Sequence, residues 1–251
     1  MAGFVIRDNR LRAFRLSFFA FTLAYIFLPT GANATEPFTK FDRTYTPQGP
    51  AHVIISNTTG DIIVSSWHKK TVQVRANAAP SVMIQDKVSG DEISISVKRD
   101  IIRMGRADFE VFVPENTSIS IKNVMGRIEV QGVTGHVTVD TIDSDVRLTG
   151  VHGPSVDVKV TSGDISFDGD LEGEGPYSLQ TLKGDLDVSL PESTSFNLVA
   201  RALSENINLG AFISSMTGTN RGPKSISGTY QKGGARLSLT TYLGRIMLHK
   251  K

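Results

Sequence analysis

Short stretches in which apolar and polar residues alternate run along most of the chain. Examples are HVIIS at 52–56, EISISVK at 92–98 and SISIK at 118–122. Alternation with period two is typical of β-strands that are buried on one face. Gly, Asn, Asp, Ser and Pro fill the gaps, as turns between short strands require. No segment after residue 35 keeps a helical period for long, so the sequence predicts an all-β protein.

A five-residue motif recurs along the chain at nearly constant spacing. Its first two positions are usually Gly and Asp, its third and fifth are always apolar, and its fourth is usually polar. The copies are GDIIV, GRIEV, SDVRL, GDISF, GDLDV, ENINL and GRIML, beginning at residues 60, 126, 144, 163, 184, 205 and 244. From residue 126 onward the starts are 18, 19, 21, 21 and 39 residues apart. The last interval is therefore about two of the others.

A second alternating strand lies between successive copies, so each unit of about 20 residues holds two short strands and two turns. One unit cannot bury its apolar face alone, whereas stacked units can. We therefore predict a β-solenoid over residues 116–251, with equivalent residues in ladders about 4.8 Å apart. A less regular β region is expected over 35–115. An antiparallel sandwich also has many short strands and is the competing architecture.

The first 34 residues predict a secretory signal peptide. Four arginines precede the 13-residue apolar run LSFFAFTLAYIFL at 16–28, and an Ala-Asn-Ala site follows it. The run is short for a permanent anchor, because a membrane-spanning helix needs ~20 apolar residues. We expect cleavage after Ala34, which leaves Thr35 first and gives an exported protein, periplasmic or at the cell surface, with no stable membrane span. An uncleaved anchor is the alternative.

Charge and cysteine content narrow the possible functions. The chain has 27 basic and 25 acidic residues, for a net charge of +2. Four of these bases and one acid lie in the first 34 residues, which leaves 23 against 24 in the remainder. Nucleic-acid binders usually present a strongly basic face, so we expect no nucleic-acid partner. The chain has no cysteine, which excludes disulfides, thiol nucleophiles and cysteine-ligated metals. We expect no cofactor.

Several stretches resemble a large bacterial family of β-strand-repeat proteins of unknown function, the "putative adhesins". They are NTTGDIIVSSWHKKTVQVRA at 57–76, FEVFVPENTSISIKNVMGRIEVQGVTGHVTVDT at 109–141 and SISGTYQKGGARLSLTTYLGRI at 225–246. The resemblance implies a Gly-Asp-Ile-x-Val rung that recurs, and it brings no defined active site. The chain departs from that pattern at Ser144 and Glu205, which replace glycines, and at Arg127 and Arg245, which replace aspartates.

The candidate site is the series Asp145, Asp164 and Asp185 at the second motif position, flanked by Arg127 and Asn206. On a solenoid these side chains would stack, and stacked carboxylates repel unless something neutralises them. A bound cation or a basic ligand could do so, since calcium prefers oxygen ligands. The other interpretation is structural: glycine supplies a positive φ and the adjacent Asp bonds backbone amides within the turn.

Two other groups of residues are weaker candidates. The acidic loop DGDLEGEG at 168–175 is rich in oxygen ligands, but its spacing matches no calcium-binding motif. The five histidines are scattered, although His136 and His152 fall near turns of successive units. A solvated loop and surface histidines are the alternatives.

The resemblance implies a non-catalytic protein that recognises an envelope or surface partner through the outward faces of its ladders. Those faces are expected to be rich in Asp, Ser, Thr and Asn, which favours a polar partner such as a glycan or an envelope protein. Two alternatives remain. One is a polysaccharide hydrolase or lyase on a β-helix, which needs paired carboxylates. The other is a structural envelope protein whose exposed strands pair with a partner. The oligomeric state is left open.

Overall fold

A computed structural model describes residues 38–99, 105–204 and 206–251. The predicted signal peptide, including Ala34 and Thr35, lies outside these residues. Over the described part the chain forms 21 strands and one 3-10 helix. The strands are β1 Thr39–Tyr45, β2 His52–Ser56, β3 Ile62–Trp67, β4 Val72–Ala78, β5 Val82–Ser89, β6 Glu92–Arg99, β7 Ala107–Pro114, β8 Ser118–Met125, β9 Ile128–Gln131, β10 Val137–Asp143, β11 Val146–Val151, β12 Val156–Ser162, β13 Ile165–Gly169, β14 Pro176–Lys183, β15 Leu186–Leu190, β16 Phe196–Ala202, β17 Ile207–Asn208, β18 Met216–Arg221, β19 Ser225–Tyr230, β20 Ala235–Leu243 and β21 Ile246–Lys250. The helix spans Gly210–Ser215.

The strands form two sheets. Sheet A has the order β1-β4-β7-β3-β9-β11-β13-β15-β21-β17, and sheet B has the order β18-β19-β16-β20-β14-β12-β10-β8-β2-β6-β5. Each rung consists of one strand in sheet B followed by one in sheet A. In stacking order the eight described rungs are β6–β7, β2–β3, β8–β9, β10–β11, β12–β13, β14–β15, β20–β21 and β16–β17; we number them 1 to 8.

Neighbouring rungs pair in parallel and in register, with one register shift between Thr149 and Val151 where β11 pairs with β13. Val146, at the third motif position, pairs with Ile128 on one side and Ile165 on the other. The third and fifth positions are buried almost without exception and form one continuous core. This confirms the predicted solenoid and its inward ladders. Parallel pairing contradicts the antiparallel sandwich.

The rungs do not stack in the order of the sequence. The copy at residue 244 does not lie beyond the copy at 205, because β21 pairs with β15 on one side and β17 on the other. The 39-residue interval is therefore not two rungs in succession: it contains the 3-10 helix and the β18–β19 hairpin. At the other end, β2–β3 lies between β6–β7 and β8–β9. The alternation cannot specify this order, since every copy presents similar large apolar side chains at its two core positions.

Antiparallel strands are added at both ends of the stack. β4 pairs with β7 and β1 with β4, while β5 pairs with β6. At the opposite end β19 pairs with β16, and β18 with β19. Both sheets contain strands from either side of residue 115. The described residues include no helix long and apolar enough to cross a membrane.

Candidate functional site

The chain turns sharply where each rung passes from sheet B to sheet A, and we call this edge of the stack the corner. The first motif position stands at the turn. Gly184 has a φ of +148°, and a Cβ there would lie 2.0 Å from the carbonyl oxygen of Gly163 in the neighbouring rung. Such a distance is impossible for a real side chain, so the recurring glycine lets adjacent rungs approach each other.

The second motif position forms a row along the corner, which we call the aspartate row. In stacking order it contains Asp108, Asp61, Arg127, Asp145, Asp164, Asp185, Arg245 and Asn206. The structure thus brings the three predicted carboxylates together in successive rungs. Oδ1 of Asp145 accepts the amide N–H of Asp164 at 2.9 Å, and Oδ1 of Asp164 accepts that of Asp185 at 2.7 Å.

Each described aspartate of the row accepts the backbone amide of the next residue in the row in the same way. Oδ1 of Asp185 accepts the amide of Arg245 at 3.0 Å. Oδ1 of Asp108 accepts the amide N–H of Asp61 at 2.8 Å, and Oδ1 of Asp61 accepts that of Arg127 at 2.9 Å. Each carboxylate therefore satisfies an amide of the next rung. Carboxylates that accept backbone amides are stabilised in the charged form.

Arginines neutralise the outer carboxylates of the row. Nε of Arg245 lies 2.7 Å from Oδ2 of Asp185, and Arg106 lies 3.0 Å from Asp61. Burial by itself raises the pKa of Asp185, but the hydrogen bonds and charge of Arg245 outweigh it and hold the pKa below its usual value. In the described part of the chain no ion pair involves Asp145 or Asp164. No group of three metal-ligating side chains occurs there either.

Sequence reasoning missed a buried polar row just inside the corner. Oγ1 of Thr181 donates to the carbonyl of Gly163 at 3.0 Å, and Oγ1 of Thr241 donates to that of Gly184 at 2.9 Å. Nδ2 of Asn123 donates to the carbonyl of Gly60 at 3.2 Å. Each donor satisfies a corner carbonyl of the adjacent rung. A Thr or Asn four residues before the second motif position was the signal for this row.

An exposed apolar stripe runs along the outside of the corner. In the paired strands the row Asn123, Thr141, Val160, Thr181, Thr241 and Ala202 is in register, and the residue after each points outward. These outward residues are apolar in five of six rungs. With two neighbours, the stripe consists of Val124, Met125, Ile142, Leu182, Leu203, Tyr242 and Leu243, which are 38–62% exposed.

The stripe holds seven of the ten exposed large apolar side chains in the described part of the chain. In the sequence these residues depart from the apolar–polar alternation, because they are apolar at strand-end positions where the alternation expects polar residues. That is why the alternation alone did not identify them as a surface.

The outward face of sheet B carries a row of hydroxyl groups. Across the paired strands the register gives Ser94, Ile54, Ser120, Thr138, Asp157, Ser178, Ser238, Val199 and Ser227. Six of these nine residues are Ser or Thr, and all six are partly or fully exposed. We call these six the hydroxyl row. The predicted polar outward face is thus present on this sheet.

The weaker candidates have local partners. In the acidic loop, Oδ1 of Asp170 accepts the hydroxyl of Thr194 at 2.7 Å and the amide of Leu171 at 2.8 Å. His136 bonds Ser155 at 2.7 Å. His152 takes no part in a group of three metal-ligating side chains within the described residues. Neither the loop nor the histidines forms a converging site.

A surface cleft of about 540 Å³ lies over β1, β4, β7 and β3. Six of its seven charged side chains pair with one another: Arg75 lies 3.6 Å from Asp42 and from Glu110, and Arg106 lies 2.7 Å from Asp108 and 3.0 Å from Asp61. Most of the charge that lines the cleft is therefore neutralised within the cleft itself.

Comparison with known proteins gives a family and a fold. Residues 45–249 match the model of a family described as "Toastrack DUF4097". The structure is similar to a "putative cell adhesion protein" from Clostridium sporogenes, with 13% identity, a TM-score of 0.53, and coverage of 85% of this chain and 100% of that one. It is also similar to a "putative adhesin" from Bacteroides fragilis, with 12% identity, a TM-score of 0.36, and coverage of 85% and 97%. No curated protein matches the sequence significantly.

Proposed function

This chain belongs to the Toastrack DUF4097 family, and from that premise we propose that it is an exported, non-catalytic binding protein of the bacterial envelope. Its partner is an extended polar molecule, a glycan, which lies across the outward face of sheet B. The name of the Clostridium sporogenes protein, which shares the fold, refers to cell adhesion and supports a binding role. The signal-peptide pattern of residues 1–34 supports export.

The hydroxyl row is the observation that carries this proposal. Its members lie one or two strand spacings apart, at about 4.8 or 9.6 Å, because the strands pair in register and three other residues interrupt the row. A solenoid presents such a row as an extended regular surface. A polymer with hydroxyl groups along its length can bond several members of the row at once, so weak contacts add up through multivalency.

The aspartate row supports a non-catalytic role over the alternative of a hydrolase or lyase. A general acid works best with a pKa raised toward the operating pH, whereas the pKa of Asp185 is lowered. Oδ1 of Asp145 and of Asp164 already accepts a backbone amide. The carboxylates of this row thus have a structural task in joining the rungs.

A pair of double variants tests the proposal. Thr138→Leu with Ser178→Leu removes two hydroxyls from the row on sheet B. Thr149→Leu with Ser189→Leu makes the same changes at residues of matching exposure on sheet A. Binding to cell-wall sacculi and to soluble envelope polysaccharides is measured by co-sedimentation and calorimetry. We expect the sheet B variant to bind at least about tenfold more weakly, which corresponds to about 1.4 kcal/mol, and the sheet A variant to bind like the wild type.

Four outcomes would overturn the proposal. The first is a wild type that binds none of the glycans, and the second is an equal loss of binding in both double variants. Release of new reducing ends from the glycan by the wild type would show a hydrolase or lyase. Capture of an envelope protein that the sheet B variant no longer retains would replace the glycan by a protein partner.

A further inference from the structure

We propose that the glycan bound across sheet B is anionic, and that a basic surface at one end of this sheet binds its charged groups. This inference rests on the proposed glycan binding and adds the chemical class of the glycan. The basic surface consists of five exposed side chains, Arg201, Arg221, Lys224, Lys232 and Arg236. The groups it binds are carboxylates or phosphates, and arginine can form two parallel hydrogen bonds with either.

The charge of the chain is divided unevenly along the sequence. Residues 206–251 contain seven Lys or Arg and no Asp or Glu, whereas residues 35–205 contain 16 basic and 24 acidic residues. The last part of the chain forms the 3-10 helix and β17 to β21, which lie at the end of the stack that holds rungs 7 and 8. A region with charges of one sign attracts a partner of the opposite sign.

Only some of these seven bases are neutralised within the structure. Three pair with acids of earlier strands and turns: Arg245 with Asp185, Lys250 with Glu192 and Lys251 with Asp168. In the described part of the chain no ion pair involves the other four, and none involves Arg201 of the neighbouring strand β16. These five bases form the basic surface.

The first part of the basic surface lies where β16 ends. Arg201 points outward there, since Ala200 and Ala202 on either side of it are buried. The carbonyl of Lys224 accepts the amide of Ala202 at 3.0 Å, which holds Lys224 beside this end of the strand. Arg221 is the last residue of β18 and leads into the turn that contains Lys224. Three bases are thus grouped at one end of the strands.

The second part lies where β20 begins, at the opposite end of the strands. Arg236 points outward between the buried Ala235 and Leu237, and it pairs in register with Asn197. Lys232 lies in the turn that leads into β20. Since Asn197 comes four residues before Arg201, the two parts are about 13 Å apart along the strands.

Hydroxyl groups occupy most of the surface between the two parts. The outward residues there include three members of the hydroxyl row and three further hydroxyls, which are Ser178, Ser238, Ser227, Thr240, Ser225 and Thr229. A sugar chain that lies along the hydroxyl row therefore brings its acidic groups within reach of bases on both sides. On these described strands no outward residue between the two parts is aromatic, whereas single-stranded nucleic acid binds by stacking its bases on aromatic side chains.

The described acids beside this surface are fewer than its bases. Gly175, in the acidic loop, accepts the amide of Arg236 at 3.0 Å, and Glu172 and Glu174 belong to the same loop. Five bases therefore outnumber two glutamates. An anionic lipid surface fits less well than a glycan, because Lys232 and Arg236 lie at the end of the strands that is remote from the apolar stripe.

The first test compares polymers that share a backbone and differ in charge. Dextran, carboxymethyl-dextran and phosphorylated dextran of equal length are titrated by calorimetry into the full chain, as recovered from expressing cells. We expect at least one charged polymer to bind about tenfold more tightly than dextran at low salt. The difference should shrink in 0.5 M NaCl, because salt screens exposed charges. The two charged polymers distinguish carboxylate from phosphate as the preferred group.

The second test removes one base from each part of the surface. Arg201→Gln with Arg236→Gln should weaken binding of the charged dextran at least about tenfold and leave binding of neutral dextran unchanged. Lys40→Gln with Arg147→Gln is the matched control, because both residues are exposed bases on sheet A. We expect this control to bind like the wild type. Far-UV circular dichroism and Tm confirm that each variant is folded.

The outcomes separate this inference from the glycan binding on which it rests. If the wild type binds sacculi or dextran but prefers neither charged polymer, or if the double Gln variant on sheet B binds normally, the anionic glycan is excluded and glycan binding stands. If the wild type binds no polysaccharide at all, both are overturned. Tighter binding to phosphatidylglycerol vesicles or to single-stranded DNA than to the charged dextrans, lost in the same variant, would assign the basic surface to lipid or to nucleic acid.

Discussion

At the scale of single residues, the aspartates of the corner bond the neighbouring rung instead of their own turn. The amide that Asp145 binds lies 19 residues further along the chain, and the one that Asp164 binds lies 21 residues further. An aspartate beside a glycine usually bonds an amide within its own turn. Here the carboxylate and the glycine beside it both act between rungs, since one satisfies an amide and the other permits close approach.

Variants of Asp164 separate this structural role from cation binding. Asp164→Asn keeps an oxygen acceptor for the amide of Asp185 and removes one of three stacked charges. We expect the free energy of unfolding in urea to change by less than about 0.5 kcal/mol. Asp164→Ala leaves that amide without its acceptor and should lower the free energy of unfolding by about 1–2 kcal/mol.

The same urea denaturation curves would also show whether this prediction is wrong. If Asn and Ala destabilise equally, the negative charge matters more than the bond to the amide. If millimolar Ca²⁺ then raises the midpoint of the wild type but not that of Asp164→Asn, a cation occupies the row.

The sequence predicted which residues share the aspartate row but not what they bond. The motif places Asp145, Asp164 and Asp185 at one phase of the repeat, and in-register pairing makes them neighbours. Whether a carboxylate accepts a local amide or one from the next rung depends on the shape of the turn. The spacing of residues carries no information on that shape.

At the scale of elements, the corner fixes how closely two rungs can stack. A Cβ on Gly184 would meet backbone atoms of Gly163 at 2.0 and 2.6 Å, and backbone cannot move aside as a flexible side chain can. Ser144 occupies the equivalent position in rung 4 without a positive φ, and its Oγ lies 2.6 Å from Oγ1 of Thr141. This corner is therefore built differently from its glycine-containing neighbours.

Two alanine substitutions isolate the effect of this contact. Gly184→Ala should lower the free energy of unfolding by at least about 3 kcal/mol, because strain at positive φ is joined by a backbone clash. Gly173→Ala also falls at a positive φ, +61°, but its Cβ would meet nothing within 4 Å. We expect it to cost about 1–2 kcal/mol. Equal losses in chemical denaturation would show that φ, and not the approach of the rungs, requires Gly184.

Strands and rung phase were predictable, whereas the order of the rungs was not. The alternation in β8 to β15 defines strands directly, and the motif gives their phase. Ile246 and Ile207 satisfy the third position equally well, so the core pattern cannot decide which rung follows β15. The antiparallel additions, such as β4 on β7, were also beyond prediction, since strands of either direction have the same alternation.

At the scale of the whole molecule, rung 7 (β20–β21) lies inside the stack, although its strands come after those of rung 8 (β16–β17) in the sequence. β20 has β14 on one side and β16 on the other, and β21 lies between β15 and β17. β18, in contrast, stands at the end of sheet B, and most of its residues are exposed. Stability against local opening should follow position in the stack and not position in the sequence.

Native-state hydrogen exchange measures this distribution. We expect the amides of β20, and those of Ile246 and Met247 in β21, to be protected as strongly as those of β12 and β13, because paired strands lie on both sides of them. The amides of β18 should exchange first among the strands of this half. Fast exchange in β20 and β21, at rates close to those of β18, would show that the late strands are loosely added to the stack.

The position of rung 7 between rungs 6 and 8 also has a consequence for biosynthesis. A nascent chain leaves the ribosome from its N-terminus, and its parts fold as they appear. β16 and β17 therefore emerge before the strands that join them to β14 and β15. Until β20 and β21 have been synthesised, the facing edges of these strands have no partner, and unpaired edges invite aggregation. A chain that ends before residue 235 lacks β20 and β21, so rung 8 cannot pair with rung 6 through them. In the full chain, rung 8 joins the stack only after these two strands have been synthesised.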